Sequence, residues 1–162
     1  MSRLLVKIFN HHTIEKNVYP AFLTESDAIL FLSLCRIKYE EKISLKHFLM
    51  EQVPHIKQVT FRQISLEKFS EELDPVLTNY KRVVLDVFGN DSLLAIKLYE
   101  YGMERNLSIY ALDIEGEKQY AWNIGKFVES NLSIPSLSIQ QLIELRGGKL
   151  IKSKQPRYSQ KQ

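Results

Sequence analysis

Apolar runs of strand length recur along the chain, at 4–9 (LLVKIF), 28–34 (AILFLSL), 56–64 (IKQVTFRQI), 83–88 (VVLDVF) and 107–114 (LSIYALDI). The second run is apolar throughout, which is typical of a parallel strand that is covered on both faces. The third alternates more and is expected nearer an edge of the sheet. A sixth strand, 119–124, follows the turn-forming sequence EGEK, so we expect it to pair antiparallel with the fifth.

Apolar residues at helical spacing fill the intervals between these runs. Ile14, Val18 and Phe22 repeat at four and predict a helix that Pro20 limits or kinks. Further helices are predicted around 45–49, 66–73 with Ser65 as N-cap, 93–105, and 139–145 before Gly147 and Gly148.

The alternation of strands and helices predicts an α/β fold. It indicates a single Rossmann-like three-layer domain with a mainly parallel six-stranded sheet, helices on both faces, and one antiparallel strand at 119–124. If the strand order is 3-2-1-4-5, it reverses between the first and fourth strands, where ligands bind in such sheets. The loops of interest are then Asn10 to Thr13 and Gly89 to Ser92.

Composition agrees with one folded domain. The chain has 162 residues, 44% hydrophobic and 25% charged, which excludes disorder over most of its length. No apolar stretch is long enough to span a bilayer, and no signal-peptide pattern follows Met1, so we expect a cytoplasmic protein without a membrane partner. A single cysteine, Cys35, excludes an internal disulfide framework and any multi-cysteine metal site.

Charge is distributed unevenly along the chain. The segment 149–162 carries five basic residues and no acidic ones, whereas residues 1–148 carry 17 basic and 19 acidic side chains. The domain at 1–148 is therefore not expected to bind duplex DNA. The segment 149–162 is predicted to be a flexible, basic polar tail.

The loop after the first strand carries Asn10, His11, His12 and Thr13. Its short polar side chains can bind a ligand while Thr13 caps the next helix, or Asn10 and Thr13 can simply satisfy backbone groups. Adjacent histidines diverge, and no third ligand follows at a useful spacing. We therefore assign no metal site and no cofactor.

Four segments together resemble the CARF (CRISPR-associated Rossmann fold) family, and more narrowly the N-terminal domain of Card-type CARF-fused nucleases. They are 9–23 (FNHHTIEKNVYPAFL), the turn at 86–92 (DVFGNDS), 110–116 (YALDIEG) and 137–148 (LSIQQLIELRGG). The resemblance implies a homodimeric sensor of a cyclic oligoadenylate in CRISPR antiviral signalling. On this basis the ligand-binding residues are Asn10, His11, Thr13, Gly89, Asn90, Asp91 and Ser92.

The turn departs from the family's Gly-Gly-Thr-Lys pattern. Gly89 is kept, but Asn90, Asp91 and Ser92 stand at the positions of the second glycine, the threonine and the lysine. The carboxylate of Asp91 disfavours a polyanionic ligand. No nuclease signature can be read in the chain, so we assign no catalytic residue and expect the effector domain to be absent. A first alternative is therefore a CARF-derived dimerisation module that no longer binds a ligand.

A second alternative comes from carboxylates at the strand ends. Asp86, Asp91 and Asp113 could together hold Mg²⁺ in a phosphohydrolase, although Asp91 is also the expected helix cap. Cys35 is interpreted as a buried thiol, since no histidine is adjacent to it in the sequence. Tyr120 and Trp122 are interpreted as covering the sheet or a dimer surface.

Overall fold

The computed structural model describes residues 2–123 and 126–147, apart from the side chain of Asn123. Within these residues, seven strands form one sheet in the order β3-β2-β1-β4-β5-β6-β7. They are β1 (Arg3–Ile8), β2 (Ala28–Ser33), β3 (Gln58–Gln63), β4 (Arg82–Asp86), β5 (Ser108–Asp113), β6 (Lys118–Asn123) and β7 (Lys126–Asn131). The predicted α/β fold and strand order are confirmed.

Strands β1 to β5 are parallel, and β6 and β7 are antiparallel to their neighbours. The predicted antiparallel sixth strand is therefore present, although Ile124 lies outside the described residues. The sheet has one strand more than predicted, because β7 was not recognised. All six residues of β7 are exposed, so this edge strand has no buried face and leaves no apolar alternation in the sequence.

The described helices are a 3₁₀ helix (Ile14–Asn17), α1 (Tyr19–Leu23), α2 (Tyr39–Gln52), α3 (Phe69–Leu77), α4 (Ser92–Glu104) and α5 (Ile139–Leu145). The predicted helix over 14–23 is thus two short helices that meet at Val18. Ser65 is not an N-cap, because α3 begins after Lys68 and the Ser65 N–H donates to Glu72 Oε1 at 3.0 Å. Gly148 and the tail 149–162 lie outside the described residues.

The core has one layer on each side of the sheet, since alternate strand residues point to opposite faces. Leu4, Val6 and Ile8 of β1 pack in the layer beneath α3 and α4. Leu5 and Phe9 pack in the other layer, which includes residues of α1, α2 and α5. Close packing explains Gly102 on α4, where an added Cβ would lie 2.6 Å from Leu85 Cδ1.

Aromatic side chains cover the antiparallel end of the sheet. Trp122 on β6 packs edge-on against Tyr99 of α4, with 5.3 Å between ring centroids, and Tyr120 stacks on Phe127 at 5.4 Å. These contacts agree with the interpretation that the aromatic residues of β6 cover the sheet. Among the described helices, none has the length and apolar character needed to cross a membrane.

Candidate functional site

A cleft lies at the carboxyl ends of β1 and β4, where the strand order reverses, and it consists of two pockets that share Ile8 and Asn90. The histidine pocket has a volume of about 290 Å³ and is lined by His11, His12, Ser33, Cys35 and residues 90–94, with Ile8 and Phe9. The lysine pocket, of about 180 Å³, is lined by Lys7, Ile8, Asn10, Lys16, residues 88–90 and residues 112–115.

Asn10 shapes the first loop through hydrogen bonds to the backbone. Its Oδ1 accepts from the N–H groups of His12 at 2.9 Å and Thr13 at 2.8 Å. The buried Asn17 holds the loop from the other side, because its Oδ1 accepts from the Asn10 N–H and its Nδ2 donates to the Asn10 carbonyl. The side-chain oxygen of Asn10 therefore satisfies backbone N–H groups, which is one of the two interpretations given above.

The expected cap at Thr13 is wrong. Its side chain makes no capping hydrogen bond to the 3₁₀ helix, and Thr13 does not line either pocket of the cleft. The helix that follows Thr13 is a 3₁₀ helix of only four residues. The other six predicted site residues all line the cleft.

The turn between β4 and α4 forms the facing wall. Asp91 is the N-cap of α4, and its Oδ1 accepts from the Leu94 N–H at 3.1 Å, as expected. The first N–H groups of a helix have no acceptor within it, so those of Ser92 and Leu93 can bind a ligand. Gly89 lets the turn approach β1, because a Cβ there would lie 3.1 Å from Ile8 Cβ.

His11, Ser33 and Cys35 form a hydrogen-bonded cluster in the histidine pocket. His11 Nε2 lies 2.7 Å from Ser33 Oγ and 3.4 Å from Cys35 Sγ, and its ring packs edge-on against Phe9. Cys35 is exposed, so its interpretation as a buried thiol is wrong. The histidine comes from the neighbouring strand's loop, and only the pairing of β1 with β2 brings it to the cysteine.

Lys7 and Asp86 form a buried ion pair beneath the lysine pocket. They are register partners on β1 and β4, with 3.7 Å between Lys7 Nζ and Asp86 Oδ2. Asp86 Oδ1 accepts from the N–H groups of Phe88 at 3.1 Å and Leu112 at 3.2 Å, whereas Oδ2 has no hydrogen-bond partner among the described residues.

Burial shifts both groups of this pair. Desolvation raises the pKa of Asp86 and lowers the pKa of Lys7, each against the attraction of the opposite charge. Sequence analysis missed Lys7, although a lysine inside the otherwise apolar run LLVKIF was a signal. A charged residue in a central strand needs a partner, and β4 supplies it.

A second lysine lies at the lysine pocket. Lys16, on the 3₁₀ helix, pairs with Glu115 in the turn between β5 and β6, and this hydrogen bond lowers the pKa of Glu115. Asp113 also lines the pocket, where its Oδ1 accepts from the Gly116 N–H at 3.0 Å. The lysine pocket is therefore lined by two lysines, Lys7 and Lys16, and by two carboxylates, Asp113 and Glu115.

The three carboxylates of the hydrolase hypothesis do not share a ligand site. Asp86 is buried against Lys7, Asp91 caps α4, and Asp113 holds its own turn. Among residues 2–123 and 126–147, no three histidine, cysteine or carboxylate side chains are placed to hold a metal ion. The structure gives the phosphohydrolase alternative no support.

Solved structures share this fold at low sequence identity. Can2 from Sulfobacillus thermosulfidooxidans, solved in complex with cyclic tetra-adenylate, matches 88% of this chain with a TM-score of 0.66 and 14% identity. Protein VC1899 from Vibrio cholerae matches 88% of the chain with a TM-score of 0.65 and 11% identity. The chain spans 40% and 39% of the lengths of these two proteins.

No protein-family model and no curated protein sequence matches the chain. At 14% and 11% identity the likeness is one of fold, and it agrees with the Rossmann-like α/β architecture that the sequence predicted.

Proposed function

We propose that this chain is a CARF-type sensor domain that binds a cyclic oligoadenylate as a two-fold symmetric dimer. The observation that carries the proposal is the cleft between β1 and β4, with the N-terminus of α4 at its wall. Backbone N–H groups at a helix N-terminus favour anions such as phosphodiester groups. Can2, which shares the fold, was solved with cyclic tetra-adenylate.

The orientation of Asp91 supports ligand binding at the altered turn. Its carboxylate is engaged with the Leu94 N–H, and the capping interaction neutralises part of its charge against the helix dipole. Asn90, Ser92 and the N–H groups of the first turn are left to contact the ligand. His11 lies at the same pocket and can donate or accept a hydrogen bond.

An exposed apolar stripe on α4 supports the dimer. Leu94, Leu98 and Tyr101 face the sheet, whereas Leu93, Ile96 and Met103 are 63%, 58% and 48% exposed. Phe88, 43% exposed, lines the lysine pocket of the cleft. Covering this stripe with a second copy would bring two clefts together, so that a ring with rotational symmetry could contact both.

One titration tests the sensor proposal. The purified protein is titrated with cyclic tri-, tetra- and hexa-adenylate, and binding is followed by calorimetry and by thermal shift. We expect one ring to bind per dimer. A dimer that binds none of the three rings would instead identify the dimerisation module, which the Asp113 and Glu115 carboxylates at the lysine pocket favour.

Variants of the turn sharpen the result. Asp91→Thr keeps a capping side chain, so we expect ring affinity to change little. Ser92→Lys restores a cation beside the helix N-terminus and should strengthen binding and steepen its salt dependence. A large gain in ring affinity in Asp91→Thr would show that the Asp91 carboxylate faces the ligand, contrary to the proposal.

The dimer has a separate test. Ile96→Glu places a charge in the exposed stripe of α4 and should convert the dimer to a monomer in light scattering. Ile43→Glu is the matched control, because Ile43 is 49% exposed on α2, away from the stripe. A parent protein that is monomeric at micromolar concentration would contradict the dimer.

A further inference from the structure

Lys7 is an unusual residue for the centre of a parallel sheet. Its neighbours along β1 are apolar, and its side chain is only 6% exposed, yet its ammonium group lies 3.7 Å from the nearest Asp86 oxygen. That separation exceeds a normal hydrogen bond. The buried ammonium therefore has unused capacity to donate, and Lys7 lines the lysine pocket.

Lys16 lines the same pocket and is held by an exposed carboxylate. Its side chain is 32% exposed, and that of Glu115, its partner, is 75% exposed. Burial is the main cause of the lowered pKa of Lys7, and the charge of the nearby Lys16 adds a smaller contribution in the same direction. Two carboxylates, Asp113 and Glu115, also line the pocket. Asp113 accepts from the Gly116 N–H, whereas Glu115 is exposed, so a bound anion can take the place of Glu115 at Lys16.

The size of the pocket limits what enters it. Pockets that bury a whole small-molecule ligand usually hold about 300 Å³ or more. The lysine pocket holds about 180 Å³, which suits one charged group of a larger ligand. Asn90 connects it with the histidine pocket, so a ligand can place different groups on its two sides.

We propose that the lysine pocket binds one phosphate or phosphodiester anion between Lys7 and Lys16, and that Glu115 occupies Lys16 in the free protein and leaves it on binding. Lys7 supplies, from inside the sheet, the cation that the turn at 89–92 lacks. Asp86 is the positioning residue, because it holds the Lys7 side chain from β4. The identification of the anion as part of a cyclic oligoadenylate rests on the function proposed above.

The test uses variants with opposite expected signs. Lys16→Gln should weaken binding of cyclic tetra-adenylate about tenfold or more, since a hydrogen bond to a charged group is lost. Glu115→Gln should strengthen it about threefold to tenfold, because Lys16 is released from its competitor. The controls Lys118→Gln and Glu117→Gln remove like charges near the same turn but outside the pocket, and should stay within twofold of the parent.

Lys7 is tested with its partner, so that no buried charge is left alone. Lys7→Met with Asp86→Asn removes both charges and keeps an oxygen that can accept from the N–H groups of Phe88 and Leu112. We expect this double variant to bind the ring about tenfold more weakly with an unchanged circular dichroism spectrum. If it does not fold, Lys16→Gln and Glu115→Gln decide the matter, because both residues are near the surface.

Inorganic pyrophosphate separates this inference from the sensor proposal. Its binding is followed by the NMR signals of the lysine side chains in the parent and in Glu115→Gln. If no ring binds but pyrophosphate perturbs Lys7 and Lys16, the anion pocket stands and the sensor proposal fails. If the ring binds and the lysine variants leave its affinity within twofold, the pocket is overturned. It is also overturned if neither ring nor pyrophosphate binds.

Discussion

The buried pair of Lys7 and Asp86 contrasts with a surface cluster of Asp74, Tyr101 and Arg105 that joins α3 to α4. In the surface cluster, the Asp74 and Arg105 side chains are 48% and 31% exposed. Asp74 accepts from the Tyr101 hydroxyl and from Arg105 Nε at 2.9 Å and Nη2 at 3.2 Å. The Arg105 guanidinium also lies over the Tyr101 ring, 3.8 Å from its centroid.

The two carboxyl groups respond to their surroundings in opposite ways. Hydrogen bonds from Tyr101 and Arg105 lower the pKa of Asp74, whereas burial raises the pKa of Asp86. A cluster that only connects two helices satisfies its charges fully. The pair at the cleft does not, and this difference is what points to a ligand for Lys7 rather than to a purely structural role.

The largest effect is expected when the buried pair is broken. Asp86→Ala leaves the Lys7 ammonium without its partner inside the sheet and should lower the free energy of unfolding by about 3–5 kcal/mol. Urea denaturation measures the loss. Lys7→Met with Asp86→Asn should recover most of it, and a double variant as unstable as Asp86→Ala would show that the charge is not the cause.

Removing one bond from the surface cluster should cost less. Tyr101→Phe deletes the hydroxyl that donates to Asp74 and should lower the free energy of unfolding by about 1 kcal/mol. Tyr99→Phe on the same helix is the control, because the ring of Tyr99 packs on Trp122 and is kept in the variant. Equal losses from the two variants would contradict the assigned role of the Tyr101 hydroxyl.

Lowering the pH should change the stability contributions of Asp74 and Asp86 in opposite directions. The stabilisation from Asp74, whose pKa is lowered on folding, is fully present above its unfolded pKa of about 4 and is lost as pH falls through its folded pKa. The stability difference between the parent and Asp74→Asn should therefore shrink on acidification. For Asp86, whose pKa is raised on folding, the folded state favours the protonated form. The free energy of unfolding of the parent should therefore rise relative to that of Asp86→Asn as pH falls. Chemical denaturation at a series of pH values measures both slopes, and slopes of the same sign would refute the contrast.

The smallest expected effect is the response of the two groups of charges to salt. Arg105→Gln removes a pair that is partly exposed, so we expect a loss of about 0.5 kcal/mol or less in dilute buffer. At about 1 M salt, screening should reduce this difference to near zero, whereas the loss in Asp86→Ala should persist because the interior is screened little. A loss in Arg105→Gln that salt leaves unchanged would point to packing on Tyr101 instead.

Periodicity predicted the part of the fold in which burial alternates along the chain. The order 3-2-1-4-5 was an assumption made for a doubly wound sheet, and the observed order agrees with it, so the two loops that it selected do form the cleft. Asp91 could be assigned as a cap because an N-cap is recognised locally, as a short polar residue directly before an apolar helix. Strand β7 could not be predicted, because an edge strand with no buried residue has no such pattern.

Contacts across strands were outside the reach of the sequence. The proximity of His11 to Cys35 and of Lys7 to Asp86 depends on the register of β1 with its two neighbours. A shift of one residue would turn Lys7 to the opposite face of the sheet. Thr13 does occupy the N-cap position of the 3₁₀ helix, but its side chain makes no capping hydrogen bond, and the sequence does not show this difference.

The central position of β1 has a consequence for the order in which the molecule folds. Arg3 pairs with Arg82, so β1 is complete long before its partner β4 is synthesised. Contacts between residues so distant in the chain form slowly, because a long loop must first be closed. Until then, one edge of an apolar strand stays unpaired and can join another nascent chain. Aggregation during synthesis is therefore the characteristic hazard of this topology, and the cleft is complete only after that hazard has passed.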